Sequence, residues 1–397
     1  MDVDFANLGL AQQVLDRQEG HARATRDHLE QYARLDGDLG LILQLLLPVN
    51  EALVDGACQV LDLSAQVYGT AAERMGQTRE AYVEAERTAA AAVAEVAGLL
   101  GTHTAPYREP ETPRLGAAQQ GAPERYGEPD GNLFHQAFWD GYNAAAWAHR
   151  TGGDVGQRLR DGLASQRSVT EAVAVREFLV APQADDPEIE SIRWKAGLLL
   201  GSVDWVFEKL FGYSLLEEIT KPFAGNWVRV REASMAWRHT GDALGGIASN
   251  TTGLVPPMAS WTGAGSEAFL LAAAAVGRAH EAVAGVPGTV ATMLTGLVVV
   301  CKEIASQIMK VLRRVSEKLM RMAVEAAVPV AGWIVAGIEA AVMVQEIVDD
   351  VLWAYKWVNI AYDLVSGMVQ GQTAVVDATM RMVDLAEGFA RAAAARV

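Results

Sequence analysis

The side chains best suited to bond-making chemistry are thinly spread along this chain. The histidines are His21, His28, His103, His135, His149, His239 and His280. His21 and His28 stand two turns apart on one face of a helical pattern, so they could share a metal only if further ligands joined them. Cys58 and Cys301 each sit inside an apolar pattern, too few for a zinc site and placed as buried thiols. Asp349 and Asp350 close a helical pattern with no partner in view. None of the motifs G-x-x-x-x-G-K-S/T, H-E-x-x-H, G-x-S-x-G or G-x-G-x-x-G occurs. The expectation is a non-catalytic protein that needs neither metal nor cofactor.

Three other patterns could act through contact. Tyr82 and Glu86 are four apart in a helical stretch, which sets an aromatic ring beside a carboxylate on one face. The same spacing begins at Tyr32, Tyr107, Tyr126 and Tyr213, but only the Tyr82 copy lies late in a long second helix. Trp261 and Gly263 fall between two amphipathic stretches, where an indole can fill the gap at a helix–helix turn and a glycine lets backbones approach. Trp139-Asp140-Gly141 repeats that spacing after a Pro-rich stretch and is a chance copy. Lys310, Arg314, Lys318 and Arg321 form a basic stripe opposite Ile304, Ile308, Val311, Val315, Leu319 and Met322. A basic amphipathic helix beside the apolar runs 282–301 and 323–346 suits an anionic membrane surface, although Glu325 and Glu339 would be costly in lipid.

The elements that must carry these residues are helical. Apolar residues recur every three or four positions, and no strand-like alternation persists, so the expected class is all-α. One helix is expected over 6–35, then a turn at Asp36-Gly37-Asp38-Leu39-Gly40. A second, from about Val49 to Leu100, is long enough to reach about 75 Å. Its inward stripe is Val49, Leu53, Val60, Ser64, Val67, Ala71, Met75, Thr78, Tyr82 and Ala89. Together they make an N-terminal helical hairpin, 1–101. Prolines 106, 110, 113, 123 and 129 mark 102–131 as an extended, mobile linker. Residues 132–187 form a short helical connecting region. Residues 188–397 form a larger helical domain with breaks near Pro222, Pro256-Pro257, Pro287 and Pro329. It includes a helix over 226–247 and a loop from Ala248 to Ala259.

Hydrophobic residues make up 51% and charged residues 21%, ample for a packed core. The net charge of −16 disfavours nucleic acid, which needs clustered cations. The first residues, Met1-Asp2-Val3-Asp4, lack the cationic start of a secretory leader. The 20 apolar residues from Ala282 to Cys301 have the length of a membrane span, but Pro287 should break a helix there, which favours buried helices.

The run Ser260-Trp261-Thr262-Gly263-Ala264-Gly265-Ser266-Glu267-Ala268-Phe269 resembles the WXG motif of helical hairpins secreted by the type VII (ESX) systems of actinobacteria. Tyr82-Val83-Glu84-Ala85-Glu86 is similar to the Y-x-x-x-D/E export signal of the same substrates. The run from Leu39 to Pro48 and the Ala-rich helix after it look like small ESX-secretion-associated proteins, without a W-x-G at that turn. The resemblance covers about half the chain. It implies a fused helical pair exported without a cleaved leader, cytoplasmic before export and secreted or surface-held after it. It further implies that Tyr82 and Trp261 meet as one composite signal for the secretion ATPase, and that the partners are the export machinery and a second copy or another WXG-type helical protein.

Overall fold

The computed structural model describes residues 4–35, 40–128, 168–184, 214, 219, 221–223, 225–325, 345–363 and 365–367. In chain order the helices are α1 (Phe5–Tyr32), α2 (Leu41–Gln44), α3 (Leu47–Leu99), α4 (Trp227–Thr252), α5 (Val255–Met258) and α6 (Ala264–Glu325). Residues 345–363 form a further helix, α7. Short 3₁₀ turns cover Val175–Phe178 and Lys221–Phe223. Among the described residues there is no strand, only an isolated parallel bridge between Gln120 and Val173. The class is all-α.

Local chemistry sets the helix ends. Asp4 caps α1, its carboxylate accepting from Ala6 N at 3.0 Å and Asn7 N at 3.1 Å. Asn50 ties the end of α1 to α3, accepting from Leu35 N at 2.8 Å and donating to Ala33 O at 3.1 Å. Asn226 caps α4 through Arg229 N at 2.9 Å. At the far end of α3, Gly101 takes φ +74° while Thr102 N reaches Ala97 O at 2.9 Å and Gly101 N reaches Gly98 O at 3.1 Å, a Schellman stop.

α1 packs along α3 and α4 along α6, and α1 also lies against α4. In the first pair Gln12 lies against Gly76 and Glu19 against Gly69, while Cys58 donates to Glu30 at 3.3 Å, so the helices run antiparallel. In the second, Ser234 donates to Ala291 O at 2.9 Å and Gly241 faces Ala284 and Pro287, again antiparallel. Two apolar cores result, and each draws on both pairs. One joins Leu29, Ile42, Leu53 and Leu61 to Trp227, Trp237, Leu294 and Ile308. The other joins Leu8, Val14, Leu15 and Tyr68 to Ile247, Met258 and Trp261.

Several expectations change. Pro287 does not end a helix: α6 runs through it from Ala264 to Glu325. Proline removes one N–H and crowds the preceding turn, but its ring is packed against Gly241, whose missing side chain leaves the space. Residues 102–128 are extended, as the prolines require, yet they are anchored. Gln13 donates to Pro113 O at 2.8 Å and accepts from Leu115 N at 2.9 Å, Arg17 donates to Gly116 O at 2.9 Å, and Arg79 donates to Pro110 O at 3.0 Å. Residues 168–182 are extended apart from the turn at Val175–Phe178, where helix was expected. The loop expected from Ala248 to Ala259 is largely helical. The inward stripe of α3 is rotated towards Val54, Leu61, Ala65, Tyr68 and Ala72, and Ala89 is exposed. The turn at 36–39, the helix expected over 132–167, Trp139, Tyr213, Pro329 and the apolar run 326–344 lie outside the described residues.

Candidate functional site

α3 delivers Tyr82 and the turn before α6 delivers Trp261 to one end of the four long helices. Trp261 is 4% exposed, and its indole Nε1 donates to the Tyr82 hydroxyl at 3.3 Å. The rings meet edge to face, with centroids 6.4 Å apart and planes at 85°. Phe269, on the first turns of α6, lies 6.1 Å from Trp261, with planes at 46°. Gly263 holds φ +123°, a backbone region that side chains with a Cβ rarely adopt. The glycine is therefore needed for the turn itself, whereas Gly265 is the one that meets the indole, at 3.4 Å. Ser266 donates back to Trp261 O, and Glu267 N to Gly263 O at 3.1 Å, which fixes the first turn of α6. Glu86, one turn beyond Tyr82, is exposed. The two sequence motifs are thus juxtaposed, with a carboxylate in water beside them.

The basic stripe divides. Lys318 pairs with Asp350 at 2.7 Å and Glu346 at 3.1 Å, and its ammonium is held above the usual lysine value, first by the Asp350 hydrogen bond. Arg314 lies 3.5 Å from Asp350 and stacks over Trp353 at 5.7 Å. Asp349 and Asp350 are inside α7, and Asp349 accepts from Gln345 at 3.1 Å. Lys310 and Arg321 are exposed. The run Gly265–Lys318 is long and apolar enough to cross a membrane, and 44% of its most apolar window is buried against other helices.

Most of the remaining polar chemistry lies buried between the two helix pairs, at residues that no sequence motif singled out. Glu171, 3% exposed, enters from the extended segment 168–174. It accepts from Arg17 at 2.8 Å, from Gln18 at 3.3 Å and from Asn250 at 3.3 Å, with His21 Nε2 at 2.8 Å. Burial opposes its charge, but the hydrogen bonds from His21 and Arg17 prevail and hold the carboxyl below its ordinary value. Asn250 also accepts from Ala172 N and Val173 N at 2.9 and 2.8 Å. Elsewhere His280 Nδ1 lies 2.9 Å from Val276 O, which can only accept, so the neutral ring turns an acceptor Nε2 towards Ser64 Oγ at 3.0 Å. Such a serine–imidazole pair is the beginning of a nucleophile. Here the serine hydroxyl already reaches Val60 O at 2.8 Å, and both residues are buried between α3 and α6. Its neighbour Tyr68 donates to Thr251 at 2.7 Å.

His28 and His239 face each other across α1 and α4, with ring centroids 5.6 Å apart. Burial pushes His28 down to about 4 and His239 to about 3. Among the described residues no group of three or more His, Cys, Asp or Glu side chains is arranged to hold a metal. His21 and His28, singled out as a potential metal pair, instead serve separate clusters. Burial raises both thiols, Cys58 and Cys301, to about 12, which leaves them protonated and inert.

Comparison of the chain with family models, with curated proteins and with solved structures gives no match.

Proposed function

We propose that this protein is a non-catalytic helical substrate of a type VII (ESX) secretion system, a fused pair of antiparallel hairpins that leaves the cell folded and acts through helix–helix contacts. The observation that carries the reading is the contact between Tyr82 and Trp261. Residues 179 positions apart, each drawn from a motif that resembles half of an export signal, meet at one end of the bundle. The exposed Glu86 completes a surface that a secretion ATPase could read. Tyr82, Glu86, Trp261 and Gly263 are the residues of that signal, and the hairpin seams are where a second copy or another WXG-type partner would join.

The test compares culture filtrate with cell pellet in an actinobacterial host with and without its ESX ATPase. Glu86→Gln is the sharper variant, because Glu86 is exposed and its loss should leave the fold intact. Tyr82→Phe keeps the ring against Trp261 and removes only the hydroxyl. Export that requires the ATPase and fails in Glu86→Gln at normal cell levels upholds the reading. Retention in the pellet of every strain overturns it.

A second reading, a membrane-active effector, draws on the apolar length of α6 and on exposed Lys310 and Arg321. It is weakened by the ion pairs that occupy Arg314 and Lys318. It requires binding to anionic liposomes at low salt that is lost in Lys310→Glu.

A further inference from the structure

The bundle places its histidines unusually. His21, His28, His239 and His280 are all buried, and all lie where one helix pair meets the other. They are not equivalent. His21 Nε2 has the Glu171 carboxylate at 2.8 Å. His280 spends both nitrogens on Val276 O and Ser64. His28 and His239 have each other.

The surroundings of that pair offer little to a second charge. On α1, the ring of Tyr32 lies 5.0 Å from His28, tilted by 53°. His28 Nε2 is buried and has no hydrogen-bond partner among the described residues. On α4, His239 Nδ1 lies 3.1 Å from Val180 O and is flanked by Arg238, a like charge. From the extended segment 102–128, a strap over the seam, Tyr126 lies 5.0 Å from the His239 ring and donates a hydrogen bond to Asp242. Among the described residues the titratable and charged groups facing the pair are Tyr32, Arg238, Tyr126 and Asp242. Asp242 is the carboxylate of that set, and it already accepts from Tyr126 and faces Arg238. Burial also raises its carboxyl above the ordinary value, so acid neutralises it early. The strap closes tightly over the site: Gly127, at φ +83°, lies against Val180, close to His239.

We propose that His28 and His239 form an acid-opened latch between the two helix pairs: protonation of both rings sets like charges 5.6 Å apart in a buried seam and parts α1 from α4 while each antiparallel pair stays helical. Two imidazolium ions at that distance, cut off from water, repel strongly, and separation lets each be solvated. The ring contacts of the two histidines run to each other, to Tyr32 and to Tyr126, none of them from α1 to α3 or from α4 to α6, so the contacts within each pair survive the opening. The exposed product is a bundle with two apolar faces, competent to take up another helical chain.

The test is an acid titration of the full chain from about pH 7.5 to 3 at fixed ionic strength. Far-ultraviolet dichroism follows helix; near-ultraviolet dichroism and small-angle scattering follow the seam. A double variant, His28→Phe with His239→Phe, fills the ring volume and takes no proton. Wild type should lose its near-ultraviolet signal and expand with most helix retained, and the double variant should do so at least about one pH unit lower. The same midpoint in both, or helix lost together with tertiary signal, overturns the latch. Should the double variant fail to fold at neutral pH, the imidazole C–H resonances of wild type decide. Protonation of His28 and His239 in the same step as seam opening sustains the proposal, and protonation near pH 6.5 with the seam intact overturns it.

Discussion

Glu171 is the residue whose local sequence says least about its role. It sits among Val169, Ala172, Val173 and Val175 in a region expected to be helical, yet it lies on an extended segment, is buried and accepts from three side chains, with His21 beside it. Glu171→Gln keeps the shape and removes the charge that Arg17 and His21 address. Arg17 is 40% exposed and water replaces much of what it loses. The buried partners are left short, at a cost of about 2–3 kcal/mol. The sign of the pH dependence follows from the lowered carboxyl of Glu171. Its stabilisation is complete above the unfolded carboxylate value of about 4.3 and is lost as pH falls through the lower folded value. Urea denaturation should therefore separate wild type from Glu171→Gln most at neutral pH, and the gap should close below about pH 4. A constant gap down to pH 3 would assign the loss to packing instead of charge.

At the scale of elements, the decisive feature is the crossing of α4 and α6 at Pro287. A Cβ on Gly241 would lie 3.2 Å from Ala284 O and 3.4 Å from the Pro287 ring, so the two backbones approach there more closely than a side chain fits without displacement. Gly241→Val must push the helices apart and should destabilise by about 1–3 kcal/mol. Gly296, in the same helix α6, has open space where its Cβ would be, and Gly296→Ala should stabilise by about 0.5–1 kcal/mol through helix propensity alone. Opposite shifts in thermal midpoint check the argument, and equal shifts refute it. The pair also marks what was legible. Periodicity of three and four placed α1, α3 and α4 to within a few residues, because each has a continuous apolar face. Tyr82 and Trp261 stood out because their spacing matched known motifs. The continuity of α6 was hidden, since the room that tolerates Pro287 is supplied by Gly241, 46 positions earlier. The anchoring of 102–128 and the burial of Glu171 were hidden for the same reason: their partners, Gln13, Arg17 and Asn250, lie about 80–150 residues away, and no local pattern encodes a contact of that range.

At the scale of the molecule, the two helix pairs are covalently joined through a chain segment that also clasps them. Residues 115–128 and 168–180 lie together along the seam of α1 and α4, linked by the Gln120–Val173 bridge, by Glu171 reaching His21, and by Tyr126 on His239. Each apolar core takes side chains from both pairs. Parting the pairs would expose Leu8, Val14, Leu29 and Leu61 on one side and Trp227, Trp237 and Ile247 on the other, all buried in the bundle. Each large side chain contributes about 1.5–3 kcal/mol when fully buried, a sum that holds the pairs together at neutral pH; a pair deprived of it keeps its helices but not one fixed tertiary packing. The bundle should therefore unfold in one calorimetric transition whose van't Hoff and calorimetric enthalpies agree. Residues 1–101 expressed alone should lack a cooperative melt, and mixing them with 102–397 should restore one. A fragment 1–101 that melts cooperatively near the temperature of the whole chain would mean that the hairpins are independent units held by a tether. In that case the meeting of Tyr82 and Trp261 would be a docking event with its own affinity, and the proposed export signal would form only as often as the two halves find each other.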